Sequence, residues 1–188
     1  APLPFTTSTL QQEASKLLNF STQKTMRLAQ QLYEGVEVNR YGTIALISYL
    51  RTDSTRISEE ADASVRAYIA ENYGKEMEAE QIKEASKGKK IQDAHEAIRP
   101  TDVTITPAQV KDSLARDLYR LYQLIWKRFV ASRMQPAKYE TVSVKLDAGQ
   151  YRFTAAASKL VFDGLMSMYV VEDEENEEKS QAVVAKHT

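Results

Sequence analysis

Residues 48–56 read SYLRTDSTR, and the predicted elements on either side are arranged around them. A short apolar run, residues 44–47, precedes the stretch, and Ser58 followed by two glutamates signals a helix start after it. Tyr49 therefore lies where a strand is predicted to end. Arginines and hydroxyl side chains follow it closely, and a phenol beside phosphate-holding cations suits phosphoryl transfer. On these residues alone, a strand-end tyrosine before a solvated polar turn is equally compatible.

The composition is typical of a folded chain with a real core. Its 188 residues suffice for one large or two small domains, and 43% of them are hydrophobic. The formal charge of −1 provides no overall basic field for nucleic acid, although residues 172–178 carry much of the acid and the remainder is net positive. Cysteine is absent, which excludes disulfides and thiolate metal sites.

Localisation signals are absent from this sequence. No apolar run approaches the roughly 18 residues that cross a bilayer, and no signal peptide opens the chain. We therefore expect a cytoplasmic protein without a membrane partner. The chain begins at Ala1 within a proline-rich segment, so we also expect a piece of a longer protein.

The first 47 residues predict a helix-turn-helix followed by a short strand. Ser8 or Thr9 is predicted to begin the first helix, and the second helix runs from near Thr22 to Gly35. A strand is predicted over residues 43–47. The residues expected on the inner face of the second helix are Met26, Ala29, Leu32 and Tyr33.

The polar face of the second helix has two interpretations. Lys24, Arg27 and Gln31 share this face, which either lies against a phosphate backbone or is simply solvated. The solvated interpretation is favoured when only this helix is considered.

Residues 93–101 read DAHEAIRPT and form a second candidate site. His95 is able to donate to a phosphate oxygen or to move a proton, although a lone histidine is more often structural. The second histidine of a zinc-binding helix is missing, so no metal ligands are predicted in this chain.

The remaining elements give an α+β fold. A helix is predicted over residues 59–72, and one long helix is predicted to start at Pro107. Its apolar stripe includes Leu121, Ile125 and Phe129, with Tyr122 and Trp126 interpreted as packing rather than base-stacking residues. Two strands, residues 139–146 and 151–157, are predicted around a turn at Gly149. The acidic run is interpreted as a solvated tip or tail.

Several motifs occur in an order that resembles one family. They are FTTSTLQQEA at 5–14, KTM at 24–26, QLYEG at 31–35, YLRTDS at 49–54, DAHEAIRP at 93–100, YQLIW at 122–126 and PAKY at 136–139. This arrangement resembles the bacterial type IA DNA topoisomerases, the topoisomerase I group in particular. The resemblance extends over roughly residues 4–164, and the Tyr49 and His95 motifs are each specific.

The resemblance implies a role for each candidate residue. Tyr49 matches the nucleophile, which holds the 5′ phosphate of a cleaved DNA strand as a phosphotyrosine. Arg51 matches the arginine at the scissile phosphate, where its planar fork suits paired phosphate oxygens. Asp53 is expected to orient His95, and His95 to contact DNA phosphate. Arg99 is either a further phosphate contact or part of a structural ion pair.

The resemblance also implies what accompanies this chain. The family binds Mg²⁺ through a Toprim domain, which is expected elsewhere, so the isolated chain is expected to be inactive. The expected partners are single-stranded DNA and the other domains of the same protein, in the bacterial cytoplasm and nucleoid. The predicted division is a helical, winged-helix-like tyrosine domain over residues 6–134, with residues 1–5 and 135–188 in a partial β-rich arch domain.

Alternative functions remain open at this point. One is a non-catalytic module that binds single-stranded DNA through Arg51, Lys24 and Arg27. Another is a decatenase similar to topoisomerase III. The simplest alternative is a segment that folds without binding DNA at all.

Overall fold

A computed structural model describes residues 1–79, 95–135 and 138–162 of the chain. Its contacts divide the chain into two compact units, Ala1–Met134 and Gln135–Thr188. The helices of the first unit are α1 (Thr7–Leu18), α2 (Thr22–Glu34), α3 (Glu59–Tyr73), α4 (Pro107–Val110) and α5 (Arg116–Ala131), with a 3-10 turn at Lys75–Met77. Its strands are β1 (Val36–Val38) and β2 (Gly42–Ile44), and the second unit contributes β3 (Lys138–Ala148) and β4 (Tyr151–Phe162). The α+β prediction is confirmed.

Helix α1 begins earlier than its predicted cap. The Thr6 side chain accepts a hydrogen bond from Thr9 N, and the Thr9 hydroxyl accepts one from Thr6 N. This reciprocal pair satisfies two amide groups that a helix start leaves unpaired. The prediction that Ser8 or Thr9 caps the helix is therefore wrong, because Thr9 serves at the third helical position. Asn19, in the left-handed conformation with φ 57°, ends the helix.

Helix α2 leads directly into a small antiparallel hairpin. Ser21 caps its start, and Gly35 ends it at φ 128°, a conformation that favours glycine. The hairpin pairs β1 with β2, and its tip contacts the α4–α5 turn, where Asn39 N donates to Ser113 Oγ at 3.0 Å. The predicted strand over residues 43–47 is only partly correct, because regular pairing stops at Ile44.

Helix α3 forms where its cap and charges predict. The Ser58 hydroxyl accepts from Ala61 N at 3.2 Å, and Glu59, Glu60 and Asp62 occupy the first turn, where negative charge complements the helix dipole.

The long helix predicted from Pro107 is interrupted. Helix α4 ends at Val110, and Ala115 adopts an extended backbone before α5 begins. The turn between them receives the hairpin tip, a contact that no local pattern contains. Helix α5 buries the predicted stripe, Leu121, Ile125 and Phe129, together with Tyr122 and Trp126. The interpretation of these two aromatic residues as packing is therefore confirmed.

The described residues of the second unit form an antiparallel hairpin. Strands β3 and β4 pair from Ala148↔Tyr151 to Lys138↔Phe162, with an irregularity next to Lys138. Gly149 turns the chain at φ 62°. The acidic run and residues 163–188 lie outside the described residues, as do residues 80–94. Residues 1–5, which were predicted to belong to the partial β domain, fall within the first unit, where Phe5 is buried.

Candidate active site

Tyr49 occupies an irregular segment between β2 and α3. Its neighbours Ile47 and Leu50 are buried, whereas Tyr49 itself is 48% exposed. Buried residues on either side anchor the backbone and leave the phenol at the surface. The side chain is therefore accessible to a large substrate.

The start of α1 holds the chain just after Tyr49. The Thr7 hydroxyl donates to Leu50 O at 2.7 Å and accepts from Thr52 N at 2.9 Å. Thr7 N also donates to Thr52 O at 2.9 Å. One threonine therefore satisfies three backbone groups of a segment that has no regular ladder of its own.

Residues 95–101 hold the chain just before Tyr49. Ser48 N donates to Arg99 O, and the Ser48 hydroxyl both donates to Ala97 O and accepts from Arg99 N, all at 2.9 Å. The same segment also forms an isolated bridge with Phe5, in which Ile98 N donates to Phe5 O at 2.9 Å. The two sequence motifs that were predicted separately are thus hydrogen-bonded neighbours.

A cavity of about 130 Å³ opens beside the phenol, lined by Ser48, Tyr49, Thr52, His95 and Glu96. This space exceeds the roughly 10–15 Å³ that a single water requires. Tyr49 and the exposed His95 therefore share one recess, which is able to admit solvent or a small group.

Two other predicted residues are not part of this lining. Arg51 and Asp53 are exposed and are absent from the cavity lining formed by the described residues. Within the same described residues, no hydrogen bond or ion pair joins Asp53 to His95. The orientation of His95 by Asp53 therefore stays a prediction.

Arg99 is engaged with a neighbouring carboxylate. Its Nη2 and Nε lie 3.0 and 3.3 Å from the two oxygens of Glu96, and its Nη1 donates to Pro100 O at 3.0 Å. Glu96 Oε1 also accepts from Ser58 N at 2.6 Å, which connects this pair to the start of α3. Partial burial raises the pKa of Glu96, but the hydrogen bonds and charge of its partners outweigh this and lower the pKa overall.

Sequence reasoning missed Tyr33, Thr7 and Ser48 as residues of this site. Tyr33 was predicted to face the core, yet it is 37% exposed, and its ring centroid lies 5.3 Å from that of Tyr49 at an interplanar angle of 65°. Tyr33 lies in the last turn of an amphipathic helix, two residues before Gly35. That position was the sequence signal that could have indicated its exposure. Thr7 and Ser48 carried no signal beyond their positions within the quoted motifs.

Comparisons with known proteins show which family the chain resembles. A family model described as DNA topoisomerase matches residues 1–187. Full-length topoisomerase I from Thermotoga maritima, solved in a monoclinic crystal form, superposes with a TM-score of 0.75 and 47% sequence identity over 89% of this chain. The chain belongs to the bacterial type IA DNA topoisomerases. It spans 27% of the Thermotoga maritima chain, about a quarter of that topoisomerase.

Two further observations bear on this topoisomerase segment. In the described residues, no three histidine, cysteine, aspartate or glutamate side chains are grouped as a metal site would require. No magnesium ligand is therefore assigned to them. None of the described helices combines the length and apolar character needed to cross a membrane.

Proposed function

We propose that this chain provides the nucleophile of a type IA topoisomerase, with Tyr49 as the residue that attacks DNA. One observation supports this most directly. Tyr49 is a half-exposed tyrosine that shares a cavity with His95, on a backbone held from both sides by hydrogen bonds. An accessible nucleophile on a rigid support is what a positioned attack requires.

The proposed reaction is an exchange of esters. The Tyr49 oxygen gives up its proton and forms a bond to the phosphorus of a DNA phosphodiester, the bond from phosphorus to the 3′ oxygen breaks, and the 3′ oxygen takes up a proton to become a hydroxyl. The 5′ phosphate stays on the tyrosine. Attack by the 3′ hydroxyl reverses the step, and because the phosphotyrosine keeps the energy of the original bond, no ATP is needed.

The neighbouring residues are proposed to act on the phosphate. Arg51 is exposed and therefore available to pair with phosphate oxygens, which a guanidinium does with two parallel donors. His95, inside the cavity, is proposed to contact the scissile or adjacent phosphate. Asp53 is proposed to join this polar group once DNA is bound.

We propose that the main role of Arg99 is to support the site rather than to bind DNA. Its ion pair with Glu96 leaves less of the guanidinium for DNA, and its backbone amide is bonded to Ser48. A direct DNA contact by Arg99 would require exchange of this carboxylate for phosphate.

The wider activity is proposed for the longer enzyme, of which residues 6–134 form the tyrosine domain and residues 135–188 part of the arch. That enzyme would cleave one strand, pass another strand and religate it, relaxing negative supercoils in the bacterial nucleoid. Single-stranded DNA is the proposed partner, and Mg²⁺ would be held by a Toprim domain. The Thermotoga maritima relative, named topoisomerase I, favours relaxation over decatenation as the main activity.

The alternative of a purely DNA-binding module receives less support. Lys24, on the face proposed for DNA, lies 2.7 Å from Asp117 in an ion pair. Part of that positive face is therefore already neutralised, although Arg27 remains exposed.

The test is capture of covalent DNA adducts by the full-length enzyme carrying this segment. Tyr49→Phe should abolish adducts and leave binding of single-stranded DNA intact, because only the nucleophilic oxygen is removed. Tyr41→Phe is a matched control, since Tyr41 is equally exposed at 48% but donates to Gln109 instead. Adducts that persist in the Tyr49→Phe enzyme would refute the assignment.

A further inference from the structure

Tyr33, near the end of α2, makes an aromatic contact with the proposed nucleophile. Its ring lies edge-to-face with the ring of Tyr49, with 5.3 Å between centroids. This separation lies in the range where aromatic pairs attract one another through their quadrupoles. Neither motif reasoning nor the proposed chemistry assigns Tyr33 a role.

Tyr49 needs such a contact because only its backbone is fixed by hydrogen bonds. The phenol projects from the surface, and within the described residues no hydrogen bond orients its hydroxyl. A side chain of this kind is able to occupy several staggered rotamers. Only some of these direct the hydroxyl toward the cavity that it shares with His95.

Tyr33 itself has a rigid support. It stands on the last turn of a helix of 13 residues, directly after the buried Leu32. The Leu32 carbonyl accepts from Leu46 N at 2.8 Å, which ties the end of α2 to the segment that leads into Tyr49. The two rings are therefore carried by backbones that are bonded to each other, so their spacing is built into the fold.

We propose that Tyr33 is a positioning residue, whose ring selects the Tyr49 rotamer that is ready for attack. The proposal rests on the proposed function of Tyr49 and adds a residue to it. The effect comes from the ring and not from the Tyr33 hydroxyl. Loss of the ring should lower the rate of the chemical step, because fewer bound complexes hold the nucleophile correctly, while DNA affinity stays the same.

The experiment measures single-turnover cleavage of a single-stranded oligonucleotide by the full-length enzyme, with the dissociation constant measured separately. At saturating DNA, Tyr33→Leu should cleave about two- to tenfold more slowly, the range expected for one aromatic pair. Tyr33→Phe should cleave at the wild-type rate. Tyr41→Leu, at an exposed tyrosine whose hydroxyl donates to Gln109, should match the wild type.

Three results would overturn the proposal. They are an unchanged cleavage rate in Tyr33→Leu, a weaker affinity with an unchanged saturating rate, and a Tyr33→Phe enzyme as slow as Tyr33→Leu. The second result would make Tyr33 a DNA contact instead. Tyr33→Gln, with a thermal unfolding midpoint for every variant, provides a second substitution if the leucine variant folds poorly.

A parallel Tyr49→Phe enzyme separates the two proposals. If it still forms adducts, the proposed function fails. If it forms none while Tyr33→Leu cleaves normally, only the positioning role fails.

Discussion

Tyr122 on helix α5 and Tyr49 in its irregular segment have opposite environments. Tyr122 on α5 has no exposed surface, and its hydroxyl donates to Ile105 O at 2.5 Å. Burial, with a smaller contribution from Asp102, raises its pKa. Tyr49 is half exposed and lines an open cavity. A sealed phenol with a satisfied hydroxyl stabilises the fold, whereas an accessible phenol is available for chemistry.

The two regions are also stabilised by different means. Helix α5 buries a stripe of apolar side chains, and hydrogen bonds within the helix satisfy its backbone amides. The Tyr49 segment has no regular backbone hydrogen bonding of this kind, and the hydroxyls of Thr7 and Ser48 bond to backbone groups instead. Mutations should therefore separate stability from activity.

The largest expected effect is on stability, at Tyr122. Tyr122→Ala should lower the free energy of unfolding by about 3–5 kcal/mol, because a large buried ring leaves a cavity. Tyr49→Ala should change it by less than about 1 kcal/mol, as is usual for surface residues. Denaturant unfolding of both variants measures the difference.

Tyr122→Phe refines this comparison. It keeps the ring but removes the donor to the Ile105 carbonyl, so we expect a loss of about 1–3 kcal/mol. Equal losses in the free energy of unfolding on substitution of Tyr49 and Tyr122 would contradict the distinction between the two phenols.

An intermediate effect is expected at Ser48. Ser48→Ala removes a hydroxyl that joins the Tyr49 segment to Ala97 and Arg99, which should lower the free energy of unfolding by about 1–2 kcal/mol. Ser48→Thr keeps the hydroxyl and should lose less. Denaturant unfolding is the measurement, with Ser64→Ala, at an exposed position on α3, as the control. If Ser48→Ala left the free energy of unfolding unchanged, the hydrogen bonds of this hydroxyl would not be what holds the Tyr49 segment in place.

The smallest expected effect depends on pH and involves Glu96. Its pKa in the folded chain is lowered from the ordinary value of 4.5, so the charged carboxylate stabilises the fold above pH 4.5 and this contribution is lost as the pH falls through the lowered pKa. Glu96→Gln should cost about 1 kcal/mol at pH 7, allowing for partial exposure of the pair. The difference from the wild type should shrink below pH 4.5.

Thermal unfolding midpoints between pH 7 and pH 3.5 follow this change. Glu71→Gln, on the exposed surface of α3, is the matched control. A difference between Glu96→Gln and the wild type that stays constant over the whole range would contradict a role for the ionised carboxylate.

Local patterns predicted most helices and strands, because caps and hydrophobic periodicity lie within a few residues of one another. They failed at the α1 cap, which a local alternative at Thr6 decided, and at positions where a distant contact is made. The predicted long helix breaks after Val110, where the hairpin tip bonds to Ser113. Tyr33 has an apolar ring at helical spacing, which predicts burial. It is exposed instead, and its ring contacts the exposed ring of Tyr49.

The sequence by itself determined the family, the α+β character and the order of the Tyr49 and His95 motifs, since each resides in contiguous residues. Only the tertiary structure decided that these motifs share one cavity, that Ser48 bonds to the backbone of Arg99, and that Tyr33 meets Tyr49. The physical reason is distance along the chain. Thr7 bonds to Leu50 across 43 positions and Ser48 to Arg99 across 51, and such contacts exist only after the core has formed.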